Sequence, residues 1–195
     1  MVIKSAGLFF VNQLHHFEIR EATAADIPAL AQLYRSFLAE QIEFSPIVIE
    51  NPDFDWANEL RLKLNRSNEK IFVADAGKIA GFIWILVRAG SKQNLQRNIL
   101  KFWKNKKLNV QPKFTYIPHG MIQDCYIEPQ FRQSGVGTAL VEFAKNWLHS
   151  QGISEIVLMV MKENAAGINF WEKMGFGTYR FIMHHHLPGE MDAKK

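Results

Sequence analysis

Apolar and polar positions alternate with period two in some stretches of this chain and recur every three or four residues in others, and the two periods predict different elements. Phe17-Glu18-Ile19-Arg20 alternates as a short strand. Thr23 then offers a capping hydroxyl and Asp26 an acidic group, and Ile27, Leu30, Leu33, Tyr34, Phe37 and Leu38 follow at helical spacing, so a helix is expected from near Thr23. Pro46 and Pro52 break that pattern. Phe54, Leu60 and Leu64 predict a second helix from about 53 to 66.

Two apolar runs rich in β-branched residues, Ile71 to Ala74 and Ile79 to Val87, flank the turn-like Asp75-Ala76-Gly77-Lys78 and read as a β-hairpin. Met121 to Ile127 predicts another strand, closed by Pro129. Ala139, Leu140, Phe143, Ala144, Trp147 and Leu148 recur helically until Gly152, and a strand is expected from Ile153 to Met161. A helix of about ten residues should follow Asn164 and stop at Gly175, and a last strand should run from about Thr178 to Met183.

Composition narrows the class. The 195 residues are 48% hydrophobic and 22% charged, enough for one sizeable core. One domain is expected over 17–186, after an extension at 1–16 and before a short polar tail at 187–195. A single cysteine, Cys125, excludes an intramolecular disulfide framework and a cysteine-only zinc site, which favours a cytoplasmic location. The apolar patch near the start is broken by Asn12 and lacks a small-residue cleavage site, which disfavours a signal peptide. No apolar run reaches the length of about 20 residues that a membrane span needs.

Charge changes the picture in one place. The net charge is +4, yet no acid lies between Asp75 and Asp124, where Lys78, Arg88, Lys92, Arg97, Lys101, Lys104, Lys106, Lys107 and Lys113 occur. The stretch 89–118 is therefore read as a basic inserted helix and loop carrying Phe102 and Trp103. A lysine-covered helix packing its aromatics on the sheet is favoured over nucleic-acid or membrane binding. Lining an acceptor cleft, the same cations would select acidic acceptors.

Phe131-Arg132-Gln133-Ser134-Gly135-Val136-Gly137-Thr138 lies between the apolar run Met121 to Ile127 and a helix. The first N–H groups of a helix have no intrahelical partners and sit at the positive end of its dipole, so such a turn can hold an anion. Glycines let the backbone approach a phosphate, and Arg132 adds charge. Two glycines alone would equally make a tight turn. No Lys-Ser or Lys-Thr pair follows, and position 140 is Leu140, so neither common nucleotide fingerprint is present.

Arg132-Gln133-Ser134-Gly135-Val136-Gly137 is similar to the (Gln/Arg)-x-x-Gly-x-(Gly/Ala) signature of the GNAT superfamily of acyl-CoA N-acyltransferases. Asn164-Ala165-Ala166 with Phe170-Trp171-Glu172-Lys173-Met174-Gly175-Phe176 resembles the Asn-x-x-Ala and Phe-Tyr-x-x-x-Gly-Phe segment of the same superfamily. The resemblance implies an α/β fold with a central mixed, mainly antiparallel sheet flanked by helices. It implies that acetyl-CoA is the acyl donor and that its acetyl group passes directly to a primary amine. By analogy the N–H groups of Gln133, Ser134, Gly135, Val136, Gly137 and Thr138, with Arg132, hold the pyrophosphate. Cys125, Tyr126 and Ile127 line the pantetheine arm with Asn164, Phe170 and Trp171, and a backbone amide near Ile127 polarises the thioester carbonyl.

Trp171 departs from the tyrosine that many members carry, and an indole N–H cannot protonate a departing thiolate. Water, Tyr126 or Tyr179 then takes the role of acid, or none is needed. Asp124 is the base candidate, beside Glu40, Glu43, His119 and Glu128, and for any single one of them a solvated charge or a cap is the favoured reading. Cys125 lies in an apolar strand without a nearby cation and is expected to pack, not to react. The run His184-His185-His186 lacks further ligands at metal spacing, and no metal is expected. The acceptor, a small molecule or a peptide, is not specified, and a homodimer stays open. A coenzyme A-binding regulatory module with little or no catalysis is the alternative.

Overall fold

A computed structural model describes residues 8–12, 15–45, 47–49, 51–90 and 115–185. Among the described residues six strands form one sheet in chain order: β1 (Leu8–Asn12), β2 (His15–Glu21), β3 (Glu69–Asp75), β4 (Ile79–Arg88), β5 (His119–Ile127) and β6 (Ile156–Leu158). The first four pairings are antiparallel and β5 with β6 is parallel, which is the mixed, mainly antiparallel sheet expected. Four helices cover it: α1 (Ile27–Glu43), α2 (Trp56–Leu64), α3 (Val136–Ser150) and α4 (Ala165–Lys173).

The sheet divides the interior into two layers. Phe72, Ile83, Ile85 and Ile122 pack with Val136, Leu140, Val141, Ala144 and Leu148 of α3. On the other face Val73, Phe82 and Tyr126 pack with Leu30, Leu33 and Tyr34 of α1 and Leu60 of α2. From Phe82 to Ile85 strand alternation sends successive residues of β4 to opposite layers, so this strand binds both halves of the core.

The capping signals act as the residues suggest. Thr23 and Asp26 form a capping box before α1, with Thr23 N–H donating to Asp26 Oδ2 at 2.7 Å. Asp55 caps α2 and Asn164 caps α4 through N–H groups at 3.0 and 2.8 Å. The second helix is shorter than its expected range because Asp55 fixes its start and Asn65 its end.

Two expectations are corrected. The strand expected over Ile153 to Met161 is reduced to three residues. No strand forms from Thr178 to Met183. The ladder between β5 and β6 ends at Ile122↔Leu158, and a β-branched and aromatic segment becomes a strand only where a neighbouring edge accepts it. Tyr179, Phe181, Ile182 and Met183 accordingly remain exposed. Most of the predicted basic helix, including Phe102 and Trp103, lies outside the described residues, as does the 187–195 tail.

Candidate active site

The end of β5 is where the expected site residues meet. Beyond Ile122 the strand keeps its antiparallel pairing with β4, from Trp84↔Asp124 to Gly81↔Ile127, while among the described residues no strand accompanies 123–127 on the β6 side. That leaves an open strand edge, which can take an extended ligand as a further strand. On the paired side Gly81 lets β4 approach β5 closely: a Cβ on it would lie 2.6 Å from the Tyr126 carbonyl oxygen.

The turn after β5 sits beside this edge. A short 3-10 turn (Pro129–Phe131) leads to Gln133 at φ 62° and Gly135 at φ 88°, both left-handed, and α3 begins at Val136. No side chain caps α3, unlike α2 and α4. The N–H groups of Val136, Gly137 and Thr138 therefore point out of the helix start with its dipole behind them. Ser134 Oγ donates to the Phe131 carbonyl at 2.6 Å and tightens the turn. Gly137 faces Phe170 and Ile127, with a Cβ there only 3.4 Å from the Phe170 ring. The two halves of the sequence motif, some thirty residues apart, thus converge on one spot.

Arg132 has a different engagement from the one its neighbours suggest. Its Nε donates to the Ile127 carbonyl at 2.9 Å, and NH2 reaches both carboxylate oxygens of Glu40, at 2.6 and 2.9 Å. Tyr126 donates its hydroxyl to the same Glu40 at 3.1 Å, and the Arg132 guanidinium lies 5.4 Å from the Tyr126 ring centre. Burial first, and the Glu40 carboxylate second, raise the Tyr126 pKa.

Asp124 lies on the face covered by α1 and α2, at a register slip between Trp84 and Ile85 that leaves Gln123 as the extra residue of β5. Burial lifts its pKa to about 6 against the opposing field of Lys63. The hydroxyl of Tyr34, fully buried, is close enough that each group shifts the other, but it makes no hydrogen bond of ordinary geometry. The buried Gln123 Nε2 is likewise unpartnered. Unsatisfied polar atoms of this kind mark where a bound polar group or water completes the structure.

The other candidates are placed elsewhere. His119 starts β5 with its Nδ1 3.1 Å from the Ile117 carbonyl, and Glu128 pairs with Lys78 at 3.0 Å. Burial pushes the Cys125 thiol up to about 12, so it stays protonated and packs as the sequence suggests. Asn164 Oδ1 is used as the α4 cap. Trp171 packs edge-on between Phe170 and Phe176, with ring centres 4.9 and 5.4 Å apart. Tyr179 is exposed in the irregular segment after α4. A separate cleft lined by Ala22, Thr23, Ile27, Arg61 and Asn65 contains none of the expected site residues. Among the described residues no helix is long and apolar enough to cross a membrane.

Residues 29–176 match the Acetyltransferase (GNAT) family. The chain belongs to this family. An N-alpha-acetyltransferase of Sulfurisphaera tokodaii is 23% identical over 89% of this chain and 88% of its own length. Among solved structures, the GNAT fold recurs in the aminoglycoside N-acetyltransferase AAC(6')-Iy in complex with CoA, at TM-score 0.64 and 17% identity, covering 91% of this chain and 99% of that one. A ribosomal-protein-alanine N-acetyltransferase from Brucella melitensis biovar Abortus 2308 aligns at TM-score 0.60 and 13% identity over 88% and 99%. The GNAT match covers the open edge, the signature turn and α4 together. Sequence reasoning did not bring Lys63 and Tyr34 to Asp124, because only the packing of α1 and α2 on the sheet does so.

Proposed function

We propose that residues 17–186 form one catalytic domain that transfers an acetyl group from acetyl-CoA directly to a primary amine. The observation that carries this reading is the open edge of β5 beside the uncapped start of α3. In this reading the N–H groups from Gln133 to Thr138 hold the pyrophosphate, and the backbone of Cys125 to Ile127 receives the pantetheine arm as a strand. Phe170 and Trp171 wall the groove, and Asn164 stands at its far side.

The donor supplies an activated thioester carbonyl. A backbone N–H near Ile127 supports the developing oxyanion. The neutral amine attacks that carbon, the C–N bond forms, the C–S bond breaks, and the sulfur leaves as a thiolate. Asp124 takes the proton that the attacking nitrogen loses; at neutral pH a carboxyl titrating near 6 is mostly ionised and still basic enough to accept it. Tyr126 stays protonated beside Glu40 and is assigned as the O–H donor to the leaving sulfur, a proton that Trp171 cannot give.

The family relatives named N-alpha-acetyltransferases make a peptide α-amine the first acceptor to try. The test is release of free coenzyme A from acetyl-CoA with a panel of free-amine peptides, followed by aminoglycosides. Turnover with any of them, at least a hundredfold lower in Asp124→Asn, supports the reading. Saturable acetyl-CoA binding without turnover across the panel would instead favour a coenzyme A-binding module.

A further inference from the structure

A charged lysine has been placed where packing alone would take leucine. Lys63 is 5% exposed on the face of α2 that also buries Leu60. Its Nζ lies 3.6 Å from the centre of the Trp84 ring, 5.0 Å from that of Tyr34 and 5.9 Å from that of Trp56. Burying an ammonium is unfavourable unless aromatic faces or opposite charges compensate it, and three rings alone do not neutralise it.

The compensating carboxylates come from three directions. Glu59, one turn earlier on α2, approaches Nζ to 3.7 Å but is partly solvated. Glu69 of β3 is held elsewhere, by Arg66 at 2.9 Å and by the Trp84 indole N–H at 3.1 Å. Asp124 of β5 stands directly opposite Trp84 across the β4 ladder. Lys63 and Asp124 form no direct ion pair among the described residues, yet each is the strongest charge acting on the other. From α1 the Tyr34 hydroxyl faces the same group, and Arg66 adds a weaker like charge. The Tyr126, Glu40 and Arg132 cluster lies one pair further along the same face of β5.

We propose that the Lys63 ammonium, fixed over the Trp84 indole opposite Asp124, is the counter-charge of that carboxylate and a positioning residue for proton transfer from the acceptor amine. This rests on the assignment of Asp124 as base. The arrangement acts in two ways. A fixed positive charge favours the ionised carboxylate against the cost of burial, and it disfavours a protonated amine in the same pocket, so the acceptor is bound as the free base that can attack. Tyr34 and Trp56, stacked at 4.8 Å, keep the ammonium from swinging to solvent.

The test reads the carboxyl directly and needs no acceptor. Carbon-13 titration of aspartate-labelled protein, with Asp124→Asn for assignment, should show the Asp124 midpoint rising by about one pH unit in Lys63→Met and returning in Lys63→Arg. If Met loosens the core, Lys63→Gln reads the same carboxyl. An unchanged midpoint in folded Met or Gln variants overturns the proposal. The second reading is kcat/KM against pH with acetyl-CoA and a free-amine tetrapeptide. Loss in Lys63→Met should be about fivefold greater at pH 6 than at pH 8.5, with Lys63→Arg restoring the profile. A uniform loss across pH marks a purely structural lysine and overturns the positioning role. A midpoint that moves while the pH profile stays fixed overturns the positioning role and, separately, removes Asp124 as base.

Discussion

Arg132 and Glu40 are joined by two hydrogen bonds, at 2.6 and 2.9 Å, that tie the signature turn to the last stretch of α1. Both side chains are about two-fifths exposed, 43% and 39%, so the pair contributes little to folding. Glu40→Gln is expected to change stability by less than about 1 kcal/mol. It releases the guanidinium toward the turn, and calorimetric titration with coenzyme A should show binding tightened by roughly two- to tenfold, with a steeper loss in salt. Unchanged or weaker binding would mean that Glu40 organises the turn and does not compete for its arginine.

Gly135 and Gly137 answer to different constraints. Gly135 lies at φ 88°, where a Cβ is strained, so Gly135→Ala should cost about 1–2 kcal/mol in denaturant unfolding. An alanine at 137 makes only ordinary contact with Phe170 and gains helix propensity. Gly137→Ala should be neutral or slightly stabilising, with coenzyme A binding kept. A larger penalty at 137 than at 135 would contradict the geometry of the turn.

Asp124 makes stability and activity pull in opposite directions. Its folded pKa, about 6, lies above the unfolded value near 3.9, so protonation favours the fold. That contribution is complete below pH 4 and is lost as pH rises through 6. Asp124→Asn does not titrate, so its melting temperature relative to the natural protein should rise between pH 4 and pH 7. Discounted for partial exposure, the gain is about 1–2 kcal/mol or roughly 3–6 °C. A constant difference across that window would show that the carboxyl is not desolvated.

Asp26 has the opposite sign. It accepts two bonds at 2.8 Å from Arg20, which also holds Asp75, and with the Thr23 backbone N–H these bring its carboxyl down to about 2. The stabilisation is present above about pH 4 and is lost as pH falls toward 2. Asp26→Asn should cost about 1–3 kcal/mol at pH 7 by thermal unfolding, and the gap should close at pH 2. A gap that persists in acid would assign the cost to packing.

Much of this was legible in the chain because it is local. The hairpin of β3 and β4, the capping box at Thr23 and the helices ending before Gly152 and Gly175 each depend on neighbours within a few residues. The signature turn was equally readable, since a left-handed glycine before an apolar helix is a short-range pattern. The Arg132 bond to Glu40 spans 92 positions, and the approach of Lys63 to Asp124 depends on how α2 packs across two strands. No spacing rule reports such meetings. Thr178 to Met183 failed for a related reason: its residue types suit a sheet, but a strand also needs an edge of matching length.

The extra residue in β5 separates side chains that regular spacing would keep on one face. Along an uninterrupted strand, residues 122 and 124 would share a side. Here Ile122 belongs with α3, while Asp124 and Tyr126 belong with α1 and α2. Gln123 interrupts the odd and even order, so residues two apart, 122 and 124, face opposite halves of the molecule, and Asp124 keeps its place opposite Trp84. Sides in this strand therefore cannot be read by parity across position 123: remove that residue, and Asp124 follows Ile122 directly, still opposite Trp84, in an unbroken ladder.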